Sequence, residues 1–402
     1  MLANVFASSP RASVSEKSTM NAHETTPSPV AQSPAVNIPL MLFLALTPVL
    51  GIGGTAVHTY LHGFSLWMPL LALGMYVAVG LSICAGYHRF YSHKSYEASA
   101  PVQVFYAVFG AMAAQNSILW WSSAHRTHHQ YVDRDWDPYS IRRGFWWAHI
   151  LWIFHDHDAP DVEGNAPDLL KNPIVQWQAR WYKLLLIAGG FGLPTAIGAL
   201  FGDPIAGLLW GGFLRLVVVH HTTFFVNSLA HYLGEPRYDA RVSARDNWAV
   251  ALLTLGEGYH SFHHRFPADF RNGIRWFHWD PAKWFIGGLR AVGLASDLRS
   301  TPMPHVEQAR MQAALRTFEP RLAAVPPPAA DEVNRLLASA RDHLAAARGL
   351  WQRYAAERSS AASSGWRSTR QLAVRHLRLC RRHWTLARAI VFRQSRVGMV
   401  MS

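Results

Sequence analysis

Cysteine is nearly absent. The 402 residues include only Cys84 and Cys380. One lies in an apolar run and the other in the C-terminal tail, so no disulfide framework is implied. Charge is also scarce, at 16% of residues against 50% apolar, while Trp (17) and Phe (20) are plentiful. That balance sets the chain apart from ordinary soluble domains and places it with membrane-associated proteins. Lysine is rare, 5 against 33 arginines, a bias typical of GC-rich bacterial genomes. The first 37 residues lack an apolar signal-peptide core and read as a disordered leader rich in Ser, Ala and Pro. Met20 within it is a possible alternative start.

What is present is apolar length. A membrane span needs about 20 mostly apolar residues. Residues 38–57 and 64–85 carry no charge. Residues 184–202 and 204–230 form two more windows, separated by Asp203, with Arg215, His220 and His221 inside the last. The expected fold class is therefore an all-α integral membrane protein with four transmembrane helices in two hairpins. The connections near 58–63 and 203 carry no Lys or Arg, whereas residues 88–183 carry nine. The positive-inside rule then puts both termini and the 88–183 segment in the cytoplasm. The apolar stretch 100–121, interrupted by Gln103, Gln115 and Asn116, is either a fifth span or an interfacial helix. The interfacial reading is favoured, because a fifth span would part the histidine motifs described next.

Twenty-two histidines are unevenly placed. "HRFYSH" holds His88 and His93. "HRTHH" holds His125, His128 and His129. "HSFHH" holds His260, His263 and His264. Positions i, i+3 and i+4 share one helical face, so each triplet is expected to present its imidazoles to one point. His88 and His93, five apart, converge only if their helix ends near Arg89. Imidazole suits iron, zinc, copper and nickel. A structural zinc is satisfied by four ligands, so eight histidines exceed one ion and fit two. With no cysteine ligand and few carboxylates nearby, two irons handling O2 are the expected occupants. His231 and Asn227, on one face at the end of the fourth span, are candidates for a ninth ligand and a polar group near a metal. "HDHD" (155–158) reads as a solvated turn and His149 as a packing or hydrogen-bonding residue. His58 and His62 lie on the opposite side of the membrane. His220 and His221 are either structural or cavity-lining.

These words, with their flanks "GYHRFYSHKSY", "DPYSIRRGFWWAH", "NSLAH" and "GEGYHSFHHRFP", resemble the membrane fatty acyl desaturases of the Δ9 acyl-CoA (stearoyl-CoA) type, over roughly residues 38–295. The resemblance implies four transmembrane helices under a cytosolic helical cap that holds a histidine-rich di-iron centre. Its nine ligands match His88, His93, His125, His128, His129, His231, His260, His263 and His264. An asparagine reaching a metal through water matches Asn227. No catalytic residue is implied beyond the metal ligands. The reaction implied is O2-dependent insertion of a cis double bond into a saturated acyl chain lying in a bent apolar tunnel. Asn116 and Trp121 match positions lining the substrate entrance, and Arg142 and Arg143 match a word that binds CoA phosphates. Animal enzymes have an Arg-Asp pair where this chain has Ser123-Ala124, so acyl-lipid and acyl-carrier substrates stay open beside acyl-CoA. Ala72 and Tyr76 are expected to cap the tunnel. The four-residue gap in "HRFYSH" favours desaturation over the related hydroxylases.

Residues 38–300 are read as the desaturase domain and 301–402 as a basic, partly helical extension. From residue 305 the chain carries 17 Arg and 6 acidic residues, a net +11 of the total +13. From Ser359 there are nine Arg and no acid. The extension is a solvated tail, or it docks on anionic lipid or an acidic protein. Neither an HPGG haem motif nor a Gly-rich dinucleotide motif occurs, so a separate electron donor of ferredoxin, rubredoxin or cytochrome b5 type, with its reductase, is expected. Membrane lipid is an expected partner and nucleic acid is not. The expected location is a bacterial inner membrane. A haem-binding membrane cytochrome or a metal transporter would need its histidines or polar groups inside the spans, and the motifs lie outside them.

Overall fold

The computed structural model describes residues 36–155, 162–323, 325–359 and 365–400. Helices α1 (Ile38–His62) and α2 (Trp67–Ser92) are both long and apolar enough to cross a membrane. The Asn37 side chain caps α1 by accepting from the Leu40 N–H at 3.1 Å, which satisfies one of the orphan amides of the first turn. At 26 residues, α2 is about 39 Å long, against roughly 30 Å of bilayer hydrocarbon. It thus runs past the expected 64–85 window and carries His88 beyond it.

Helix α3 (Ala100–Ala111) spans 12 residues, about 18 Å, too short to be a fifth span. The 100–121 stretch is broken after it, where Ala114 and Asn116 adopt φ of 53° and 75°. Ser117 then starts helix α4 (Ile118–Tyr131), accepting from the Trp120 N–H. The short helix α5 (Phe145–His149) follows.

Helices α6 (Pro173–Leu200) and α7 (Pro204–Tyr232) complete the set of four apolar helices. Each begins with a capping side chain and a proline, Asn172-Pro173 and Asp203-Pro204, the residue pair that suits a helix start. They cross at Gly198 and Gly207, where a Cβ on either would lie within 2.8 Å of the other's Cα. Arg215, buried within α7, donates to the carbonyls of Met112 (2.6 Å), Gly190 (2.8 Å) and Gly211 (3.1 Å). A charge at that depth persists only when it is so paired. It ties the end of α3 to α6 and α7.

The cap adds helices α8 (Trp248–Leu253), α9 (His260–Arg265) and α10 (Pro281–Ala291). Among the described residues the all-α expectation meets one exception. Strands β1 (Glu97–Ala98) and β2 (Ala295–Ser296) pair antiparallel over two residues each. Three further helices follow: α11 (Met303–Leu322), α12 (Pro327–Ser359) and α13 (Trp366–Val400). They share an apolar cluster of their own, including Leu337, Leu344, Leu377, Trp384 and Val391. A smaller cluster seats α11 on the cap through Val306, Ala309, Tyr238 and Phe262. Residues 1–35 of the expected leader, residues 156–158 of "HDHD" and residues 360–364 of the Ser-rich link lie outside the described residues.

Candidate metal centre

The last turns of α2, Ser82–Ser92, are wound wider than an α-helix, with π-type hydrogen bonding. The His93 N–H bonds the His88 carbonyl five residues back, at 3.2 Å. A π turn brings i and i+5 toward one face, and the two rings stand 5.1 Å apart. The helix therefore does not end near Arg89, contrary to the expectation from the spacing. It changes pitch instead.

Nine histidines converge in two groups. His88, His93, His125, His129 and His263 form one, and His128, His231, His260 and His264 the other. Within each group the nearest ligand atoms lie within 4.8 Å of one another. The expectation that each triplet serves one point is corrected. In α4, His125 and His129 go to the first group and His128 to the second. In α9, His260 and His264 go to the second group and His263 to the first. Positions i and i+4 lie about 40° apart around a helix, while i+3 falls on the other side of i. Two facing helices thus interleave their triplets, and the rings of His129 and His264 stack at 4.3 Å.

The hydrogen-bond network assigns tautomers. His88 Nδ1 lies 2.9 Å from Glu257, and His128 Nδ1 lies 2.8 Å from Asp137. A carboxylate only accepts, so both Nδ1 atoms carry the hydrogen and both Nε2 atoms present lone pairs. His231 Nδ1 donates to Ser243 Oγ (2.7 Å), whose own proton goes to Asp133 (2.6 Å). The freed Nε2 atoms face His263, His264 and His260 at 2.9, 3.3 and 3.0 Å. Burial pushes His93, His125, His129, His263 and His264 far below the usual imidazole range, and His260 to about 3. These imidazoles are neutral at pH 7, the form that binds metal. Lone pairs crowded this closely fit a pair of cations.

Behind the rings lie carboxylates, where the histidine motifs suggest few: Asp133, Asp137, Glu257 and Asp280 are all buried here. Arg89, 1% exposed, bridges Glu257 and Asp280 at 2.9 Å each. Asn272 donates to Glu257 at 2.6 Å. Burial would raise the Glu257 carboxyl, but His88 and Arg89 outweigh it and hold it far below the usual range. The signal was available: Asp133 and Asp137 follow the first triplet by a few residues, and Glu257 precedes His260 by three.

One cavity of about 390 Å³ joins this centre to the apolar helices. Leu40, Leu44, Ile83 and Leu255 line one part of it, and His88, His125, His128 and His260 another. Asn227, Asn116 and Trp121 are in its wall. The Trp121 indole stacks on His125 at 5.0 Å and donates to Gln115. His220 also lines it, bonded to the Ala113 carbonyl. His221 instead pairs with His149, which bonds Ser228. Arg142 and Arg143 are exposed and outside the wall. Arg143 lies over Trp147 at 3.3 Å, and Trp147 contacts His155, which does line the cavity. Ala72 and Tyr76 are not in the wall. The α2 residues that are, Gly80, Ile83 and Cys84, sit one turn or more nearer His88.

A family model, fatty acid desaturase, matches residues 65–288, a stretch that includes all nine histidines. The chain belongs to the fatty acid desaturase family. It is 42% identical to acyl-CoA desaturase 1 of Saccharomyces cerevisiae over 245 residues, 60% of this chain and 48% of that protein. It is 39% identical to the sn-2 palmitoyl-lipid 9-desaturase of Nostoc over 255 residues, 60% and 87% of the two chains. It is 36% identical to human stearoyl-CoA desaturase 5 over 252 residues, 60% and 75%. The chain spans about half the length of its yeast relatives. Family and helices together make it a membrane protein with histidine clusters able to hold metal.

Proposed function

We propose that the chain is an O2-dependent fatty acyl desaturase that places a cis double bond, at Δ9, in a saturated acyl chain carried as acyl-CoA. The observation that carries this reading is a cavity lined both by apolar span residues and by metal-competent histidines. Two bound irons would supply O2 activation and the oxidation that removes two hydrogens from the chain, with the O2 ending as water. The nine histidines would hold them, with Asn227 placed to act on one of them through water. Glu257, Asp137 and Ser243 fix the rings of His88, His128 and His231. An alkyl chain has no polar handle, so cavity shape sets where the bond forms. Trp121 shields the wall beside His125, and Asn116 offers a polar group there. Arg142 and Arg143, outside the wall, suit the phosphates of a headgroup left outside the cavity.

Electrons come from a separate carrier of ferredoxin, rubredoxin or cytochrome b5 type. The desaturase unit is residues 38–300 and the basic extension 301–402. In support, the family match stops at residue 288 and the second apolar cluster draws only on residues from 303 onward. Both termini and the metal centre face the cytoplasm, on the strength of the Lys/Arg distribution, and the composition favours a bacterial inner membrane.

The test is expression in a desaturase-deficient host, with double bonds located by mass spectrometry beside a His125→Ala control. A cis-monoene at one position, absent from the control, supports the reading. Hydroxylated lipid contradicts it. A monoene found first in phospholipid rather than in the acyl-CoA pool moves the substrate to acyl-lipid, the class named for the Nostoc relative.

A further inference from the structure

Helix α13 has two unlike faces. Thr369, Ala373, Leu377, Cys380, Trp384, Ala387 and Val391 are buried, spaced three and four apart, and the last five belong to the apolar cluster shared with α11 and α12. The outer face carries Arg370, Arg375, Arg378 and Arg382, all exposed, and α13 holds no acidic residue. Charge of one sign along a helix of about 50 Å matches a partner of the opposite sign.

Position narrows the partner. Arg381 of α13 is bonded to Glu307 of α11. Arg310 and Arg388 both act on Glu235 of the cap. Helix α11 packs through Val306 and Ala309 on Phe262. Phe262 belongs to α9, the helix of His260, His263 and His264. The basic helices are thus coupled to the metal-centre helix by one layer of packing. An amphipathic helix that binds a bilayer inserts its apolar face, but here that face is spent on α12, and four apolar helices already anchor the chain.

We propose that the arginine face of α13 is the docking surface for an acidic electron-carrier protein. This rests on the desaturase reading, which requires such a carrier, and it assigns that carrier a place outside the family-matched residues.

The experiment uses the full chain in phosphatidylcholine nanodiscs, with two probes: a plant-type [2Fe–2S] ferredoxin and a soluble cytochrome b5 domain, both acidic. Affinity is measured at low and high salt. For the wild type, one carrier is expected to bind at low salt and to be released at high salt, as screening shortens the reach of the charges. The quadruple variant R370E/R375E/R378E/R382E should bind at least about tenfold more weakly, and the corresponding four-lysine variant should bind like the wild type. Three results overturn the proposal: neither carrier binds the wild type, the glutamate variant binds equally, or the wild type captures phosphatidylglycerol vesicles and no carrier. Because binding is read directly, it is separable from catalysis. Product formation with unchanged binding in the glutamate variant removes the docking surface alone. Carrier binding without a cis-monoene removes the desaturase reading alone.

Discussion

Glu257 accepts from His88 Nδ1 at 2.9 Å with one oxygen, while its other oxygen receives Arg89 at 2.9 Å. A ring fixed in this way points its Nε2 at His263, 2.9 Å away, across 175 residues of sequence. The carboxylate does two things: it orients the ring, and its negative charge offsets a buried arginine.

Glu257→Gln keeps the shape and removes the charge. The amide cannot serve both the His88 and Arg89 donors as the carboxylate does. Outer partners of this kind are worth about 10–100-fold in metal affinity. The variant should lose iron that much sooner in a chelator titration followed by elemental analysis. Retention equal to the wild type would show that Glu257 does not hold the ring.

Acid should destabilise the metal-free protein. His125, His129, His260, His263 and His264 resist protonation when folded because they are buried. In the unfolded chain they titrate near about 6.5. Below that pH the unfolded state binds protons that the folded state refuses, so stability falls as pH falls. Asp246 acts in the opposite sense: burial pushes its carboxyl up to about 7, so its ionisation above that pH disfavours the fold. One such group stands against five imidazoles. Melting temperature of the metal-free protein should therefore drop between pH 7.5 and 5, and a flat or rising trend contradicts the account.

The cavity wall makes a paired prediction about chain length. Ile83 lines the cavity and is 5% exposed, while Ala72 lies outside the wall. Ile83→Trp should shift products toward shorter acyl chains, and Ala72→Trp should leave the product profile unchanged. Gas chromatography of host lipids reads both. The reverse pattern would place the end of the cavity at Ala72.

The spans and the histidine motifs were legible in the sequence because each is local: an uncharged window or a short spacing. The allocation of the histidines was not. Whether His128 joins His125 or His231 depends on how α4 faces α9, which no spacing encodes. The convergence of His88 and His93 was misjudged because a pitch change in α2 has no composition signature. The carboxylates were in plain view at "VDRDWDP" and "GEGYH", but a carboxylate earns its role from burial and partners that lie far away in sequence, as Asp133 does with Ser243. The seat of α11 on Phe262 was equally hidden, since it joins residues more than 40 apart.

The two interleaved histidine groups are expected to hold two metal ions. The most direct measurement is iron content per chain by elemental analysis of the purified protein, for the wild type and for His263→Ala and His264→Ala, one from each group. Two irons per wild-type chain are expected, with occupancy falling in each variant. One iron per chain, or two that survive both substitutions, would contradict the account.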